Sequence, residues 1–204
     1  MEAQQKTKPT YLGLLNAISL GETQAGVYLR AWADATNDED LACTLRLVAA
    51  RETSHGQLFC RMLNELGYEL RHKPDPEAAE RLARYANPKI SDLEKIGKSR
   101  NEIERDPFAD IEKRMTQGEF DPVTCNMLSW YICEERDSAS KLRAAYDKVR
   151  AKATGAGKAN GHAKVNGHGT AAMSPSAETE AIMACIADGF ARLEKSLERI
   201  AGRA

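Results

Sequence analysis

Aromatic residues are scarce in this chain, at 6% of 204 residues, which argues against a β-sandwich or barrel built on aromatic strands. Neither sign of charge is in excess: 29 basic residues face 30 acidic ones, for a formal net charge of -1. That balance excludes a polycation that coats nucleic acid or an anionic membrane. No stretch approaches about 18 consecutive apolar residues, so the sequence offers no membrane span. Cysteine is present as an odd set of five (Cys43, Cys60, Cys125, Cys133, Cys185) with no Cys-x-x-Cys pair. A disulfide framework, a zinc ribbon and a rubredoxin-type iron site are thereby excluded. Reduced, mostly buried thiols in a cytoplasmic protein are the expectation.

Alanine, leucine, glutamate and arginine are abundant, and these are the residues that favour helices. Lys6 and Lys8 precede the apolar run from Tyr11 to Leu20, a pattern that mimics an export signal. The helical periodicity continues through Glu22 to Leu29 and Trp32, so the segment reads as a first helix. That helix is predicted over residues 10–35, ending at Thr36-Asn37-Asp38, with the apolar face Tyr11, Leu15, Ile18, Ala25, Leu29 and Trp32. A second follows over residues 39–66, closing at Gly67, with the face Leu41, Leu45, Val48, Phe59, Met62 and Leu66. The short connection makes the two an antiparallel hairpin.

Beyond a proline-bracketed short helix at 77–85, a third and less regular helical stretch is predicted over 91–117. It is interrupted at Asp106-Pro107, where the aspartate caps a new helix. Asp121-Pro122 opens a fourth helix to about residue 149, with the face Leu128, Tyr131, Leu142, Ala145 and Val149. The expected fold is all-α, a four-helix bundle over residues 10–150. Residues 151–175 carry Gly, Ala, Asn, His and Lys, with Asn160-Gly161-His162 nearly repeated at Asn166-Gly167-His168, and read as a flexible linker. Residues 176–203 read as an amphipathic helix whose seam of Ile182, Ile186, Phe190, Leu193, Leu197 and Ile200 needs an apolar partner. It folds back on the bundle or meets another subunit, so a homo-oligomer, dimer or higher, is expected.

The functional signal is what interrupts the apolar faces. The core stripe of the first helix takes in Glu22, that of the second Glu52 and His55, and that of the fourth Glu135 and Ser138. Buried carboxylates on facing helices require a compensating cation. No Arg or Lys falls on these stripes, and a bound metal ion is the simplest neutraliser. Glu52 and His55 are three residues apart and project from one helical face. Glu22 lies about thirteen residues before its helix ends and Glu52 about thirteen after the next begins, at matching depth. Carboxylates with an imidazole suit iron or manganese better than a thiolate-loving metal.

On these residues the chain resembles the ferritin-like superfamily of di-iron carboxylate proteins, and rubrerythrin-like domains in particular. The family pattern takes one Glu from each of two helices and a Glu-x-x-His from each of the other two. Glu22 matches the first, and Glu52-Thr53-Ser54-His55 the first Glu-x-x-His. In the fourth helix Glu135-Arg136-Asp137-Ser138 carries serine where the second histidine belongs; the alternative frame is Glu134-x-x-Asp137. The third-helix ligand is Glu104 by depth, with Glu102 and Glu112 as alternatives. The resemblance implies an iron-dependent oxidoreductase, with one or two iron ions or manganese, oxygen or peroxide as substrate and an external electron donor. In that reading Glu22 and His55 are terminal ligands, Glu52 and Glu135 bridge, and Tyr131 lines the site. Two arrangements stay open at this level. One ion sits within a single chain, or two chains share a centre across a two-fold axis, as in the encapsulated ferritins. A different class also stays open: a metal-poor scaffold acting through oligomerisation.

Overall fold

A computed structural model describes residues 8–72, 74–97 and 106–155, and these form six helices joined by loops. In chain order they are α1 (Leu12–Ala35), α2 (Glu39–Glu65), α3 (Ala78–Ala86), α4 (Asp92–Ile96), α5 (Ala109–Thr116) and α6 (Pro122–Ala153). The fold is all-α. Among the described residues no helix is long and apolar enough to cross a membrane. Glu102, Glu104, most of the expected linker with His162 and His168, and the expected helix 176–203 lie outside the described residues.

Local chemistry sets the helix ends. Asp38 accepts the Leu41 N–H at the start of α2, and Glu39 and Asp40 complement the helix dipole in its first turn. Asp121 accepts from the backbone of Val123 and Thr124 and from the Thr124 hydroxyl, with Pro122 in the first turn of α6. The Tyr11 hydroxyl donates to the same carboxylate at 2.5 Å, which joins the start of α1 to the start of α6. Gly67 takes φ 83° just past α2, the left-handed conformation in which glycine carries no Cβ penalty.

Three expectations need correction. The third helical stretch, predicted to run continuously from residue 91 to the break at Asp106-Pro107, stops after five residues. Gly97 adopts φ 76° there and turns the backbone out of the helix. Asp106 then accepts the Phe108 N–H ahead of the separate α5. The thiols are also not mostly buried: Cys43 and Cys133 are exposed, Cys60 and Cys125 half-buried, and all four are free. The inward positions of α2 and α6 are taken by larger apolar groups and by the acidic residues, so the thiols fall off the core stripes. At the other end, α6 runs to Ala153, so the start of the expected linker is still helical.

The core has two apolar clusters with a polar layer between them. One gathers Tyr11, Leu15, Ile18, Phe59, Leu63, Phe108, Leu128 and Tyr131. The other gathers Trp32, Leu41, Leu45, Val48, Leu142, Tyr146 and Val149, with Trp32 stacked on Tyr146 at 5.5 Å between ring centres. Along α1, α2 and α6 the residues between these clusters are Glu22, Glu52, His55, Glu135 and Ser138, all buried. The short helices complete the surround, Phe108 and Ile111 on the first cluster and Tyr85 and Ile96 on the second.

Helices α1 and α2 approach closely through a repeated element, Glu22-Thr23-x-x-Gly26 and Glu52-Thr53-x-x-Gly56. A Cβ on Gly26 would meet the Thr53 hydroxyl and lie 3.0 Å from the Ala49 carbonyl. A Cβ on Gly56 would meet the Thr23 hydroxyl, 2.9 Å from the Thr23 nitrogen and 3.0 Å from the Ser19 carbonyl. Both threonines turn back on their own helices, to Ser19 and Ala49, and Ser19 donates to the Gly56 carbonyl at 2.7 Å. Gly56→Ala is therefore expected to destabilise by about 1–3 kcal/mol, the range for overpacking a tight contact. Gly21→Ala, at a helical glycine with nothing within 4 Å of the new Cβ, should stabilise by about 0.5–1 kcal/mol. Denaturant unfolding of the two variants measures both, and equal effects would contradict the close approach.

Candidate metal centre

Three helices deliver the acidic residues to one point. Glu22 on α1, Glu52 and His55 on α2 and Glu135 on α6 each offer a ligand atom, and these atoms lie within 4.8 Å of one another. The three carboxylates are 4%, 4% and 2% exposed and the imidazole is fully buried. His55 Nδ1 lies 3.0 Å from Glu135 Oε1 and 4.0 Å from Glu22 Oε2. All three atoms are buried and none makes a hydrogen bond. The close Nδ1–Oε1 pair is near in distance but not aligned as a hydrogen bond. Buried polar atoms without partners are rare because each carries its full desolvation cost. Here three of them converge, which is the donor arrangement a cation fills.

The surrounding groups hold the donors in place. The Tyr131 hydroxyl donates to Glu22 Oε1 at 2.6 Å, and its ring meets His55 edge-on at 5.2 Å. Burial and the charge of Glu22 keep the Tyr131 phenol well above its usual pKa, so it stays a donor. On the other side of the imidazole, His55 Nε2 lies 2.9 Å from Glu134 Oε2. With Glu134 as acceptor, Nε2 carries the proton and Nδ1 turns a lone pair toward Glu22 and Glu135, the tautomer a ligand histidine needs. Trp130 packs edge-on against the same ring at 5.1 Å.

The electrostatics follow from putting like charges in a dry place. Burial pushes the Glu22 carboxyl well above the usual range, and Glu52 and Glu135 push it further. Glu52 rises to about 7, again through burial first, with Glu135 adding to the rise and the neighbouring Glu22 carboxyl partly offsetting it. Burial alone would lower the His55 pKa, but the Glu135 and Glu134 carboxylates outweigh it and hold the imidazole above its ordinary value. Without a metal the cluster takes up protons; a cation would replace them.

The structure brings Glu22, Glu52, His55, Glu135 and Tyr131 together. Glu112 is not among them, because it pairs with the exposed Arg136 at 2.8 Å. Glu104 lies outside the described residues. In the alternative frame, Glu134 faces Nε2 rather than the donor point, and Asp137 turns outward to Arg51 and Lys141. Neither the supporting place of Glu134 nor that of Arg51 was read from the sequence. The repeated Glu-Thr-x-x-Gly element is a further signal, beside matching depth, that pairs Glu22 with Glu52. No protein-family profile, curated protein or solved structure matches the chain.

These shifts fix a pH dependence for the metal-free protein. A carboxyl whose pKa is raised on folding contributes stability below its unfolded value, and that stability is lost as pH rises through the folded value. For Glu52 the window runs from about 4.5 to about 7, and Glu22 and His55 act with the same sign. Chelator-treated protein is expected to melt at a higher temperature at pH 5 than at pH 8, and Glu52→Gln should flatten that slope. Melting curves that rise from pH 5 to pH 8 would contradict it.

Proposed function

We propose that this chain is a metal-dependent oxidoreductase of ferritin-like character, binding iron, with manganese as the alternative, and acting on oxygen or peroxide. The observation that carries the proposal is the convergence of Glu22 Oε2, His55 Nδ1 and Glu135 Oε1, buried and without hydrogen bonds, beside Glu52. A carboxylate-rich set with one imidazole suits these metals by donor hardness. The ferritin-like reading is further supported by the order of donors, Glu on α1, Glu-x-x-His on α2 and Glu on α6. In the place of one long third helix this reading has the short helices α4 and α5.

The bound ion would supply the redox change, and the chain supplies the environment for it. Glu22, Glu52 and Glu135 hold positive charge in a layer closed off by Phe59, Leu128 and Tyr131. Tyr131 keeps one oxygen of Glu22 occupied and directs the other inward. Glu134, with its side chain 30% exposed, fixes the imidazole while remaining in contact with solvent. Turnover with peroxide would draw electrons from an external donor, as the chain has no Cys-x-x-Cys pair. All four donors come from one chain, which favours a site within the subunit over one shared across a two-fold axis. The scaffold reading keeps one observation in its favour, the serine at position 138 where a second histidine would stand.

Ligand removal separates the two. His55→Ala and Glu52→Ala are expected to abolish most anaerobic uptake of Fe(II), measured by calorimetry, and oxygen-dependent Fe(II) oxidation, while circular dichroism stays helical. Wild-type protein that takes up neither Fe(II) nor Mn(II) would leave only the scaffold.

A milder change tests how the histidine is held. Glu134→Gln should weaken metal binding by about 10–100-fold, the usual effect of losing the group that orients a ligand imidazole. Unchanged affinity would mean that the Nε2 contact plays no part in binding.

A further inference from the structure

Ser138 stands on the face of α6 that carries Glu135, one turn further along, and is 2% exposed. A hydroxyl in that position invites comparison with a metal ligand, but its oxygen is already engaged. Arg51 Nη1 donates to it at 3.2 Å and to Asp137 Oδ2 at 2.6 Å. Asp137 is held in turn by Lys141, whose Nζ lies 2.6 and 2.7 Å from its two oxygens. The guanidinium is therefore pinned beside the polar layer, next in sequence to Glu52.

We propose that the core holds one cation per chain, and that the Arg51 guanidinium seated on Ser138 supplies the positive charge a second ion would bring. This rests on the metal-dependent reading above and specifies its site. The size of the donor cluster supports it. Ligand atoms on opposite sides of one ion, each bonded at about 2.1–2.4 Å, lie about 4.2–4.8 Å apart. One donor atom from each of the four residues lies within 4.8 Å of the others, close enough for all four to share a single ion. Two-metal centres place their ions about 3.5–4 Å apart and need further donors on the outer side of each. On the α6 side that place is taken by a neutral hydroxyl and a fixed cation. A second dication there would meet both the loss of a carboxylate or imidazole donor and direct repulsion from Arg51.

The experiment is anaerobic titration of full-length, metal-free protein with Mn(II), read by calorimetry, native mass spectrometry and electron paramagnetic resonance. Wild type should bind one ion per chain with the spectrum of an isolated Mn(II). Ser138→His alone should still bind one, because Arg51 remains. Arg51→Met combined with Ser138→His should bind two, with the spectrum of a coupled pair. Two ions in wild type overturn the inference and leave the metal-dependent reading intact. No ion in wild type overturns both. Two ions in Ser138→His alone, or one ion in a folded double variant, would show that Arg51 does not stand in for the second ion. Should the double variant fail to fold, Arg51→Gln combined with Ser138→His, which keeps a hydrogen-bond donor without the charge, takes its place, with the same two-ion result expected and one ion overturning the role of Arg51.

Discussion

Mutual repulsion among three carboxylates in a dry layer is the interaction to which the rest of this structure answers. Glu22, Glu52 and Glu135 meet around one imidazole, with apolar side chains above and below. Carrying an ion into such surroundings costs several kcal/mol even after relaxation, so the layer cannot stay fully charged without a cation. Metal-free protein meets the demand with protons: burial and mutual repulsion shift Glu22 and Glu52 upward. A metal ion held by the cluster would meet it by coordination. The site is thus unfavourable for folding unless occupied or protonated, which is the usual relation between function and stability at such a place.

That layer depends on how closely α1 and α2 pack. Glycines 26 and 56 remove the side chains that would hold the helices apart, and each lies against the threonine of the other copy of the repeated element. The two glutamates directly precede those threonines, so the contact that sets the helix separation also sets the distance between Glu22 and Glu52. Backbone closeness and ligand geometry are one constraint here. Helix α6 then brings Glu135, Tyr131 and Leu128 across the open side, and the Tyr11–Asp121 hydrogen bond anchors its start to that of α1.

A second ring of charge surrounds the first and is largely open to solvent. Glu134 faces His55 Nε2, and Asp137 binds Arg51 and Lys141. Exposed ion pairs contribute little to stability, so the value of this ring lies in position. Glu134 selects the tautomer of the buried histidine, and Arg51 occupies the hydroxyl of Ser138. Neighbouring residues on α6 thus divide between inside and outside: Glu135 and Ser138 face the core while Glu134 and Asp137 face its rim.

The three long helices were legible in the sequence because a helix with one buried face writes that face as a repeat of three and four. The buried stripe of α2 from Leu41 to Met62 can be read from the residue string alone, acidic interruptions included. Caps at Asp38 and Asp121 were equally local. The end of α4 at Gly97 was not, because glycine within a helical pattern is tolerated as often as it terminates one, and a backbone angle decides between them. The cysteines were misplaced because their usual preference for burial is an average, while the packing of neighbours decides each position. What the sequence by itself determined is which residues point inward, since that follows from the 3.6-residue period. What only the tertiary structure decided is which of them meet: that Glu134 supports the histidine, that Arg51 reaches Ser138, and that α1 lies close enough to α2 for their glutamates to join one cluster. Those contacts join residues 79 and 87 positions apart, or 30 in the case of the glutamates. Periodicity within one helix carries no information about the rotation and separation of the next, which are set by side-chain packing.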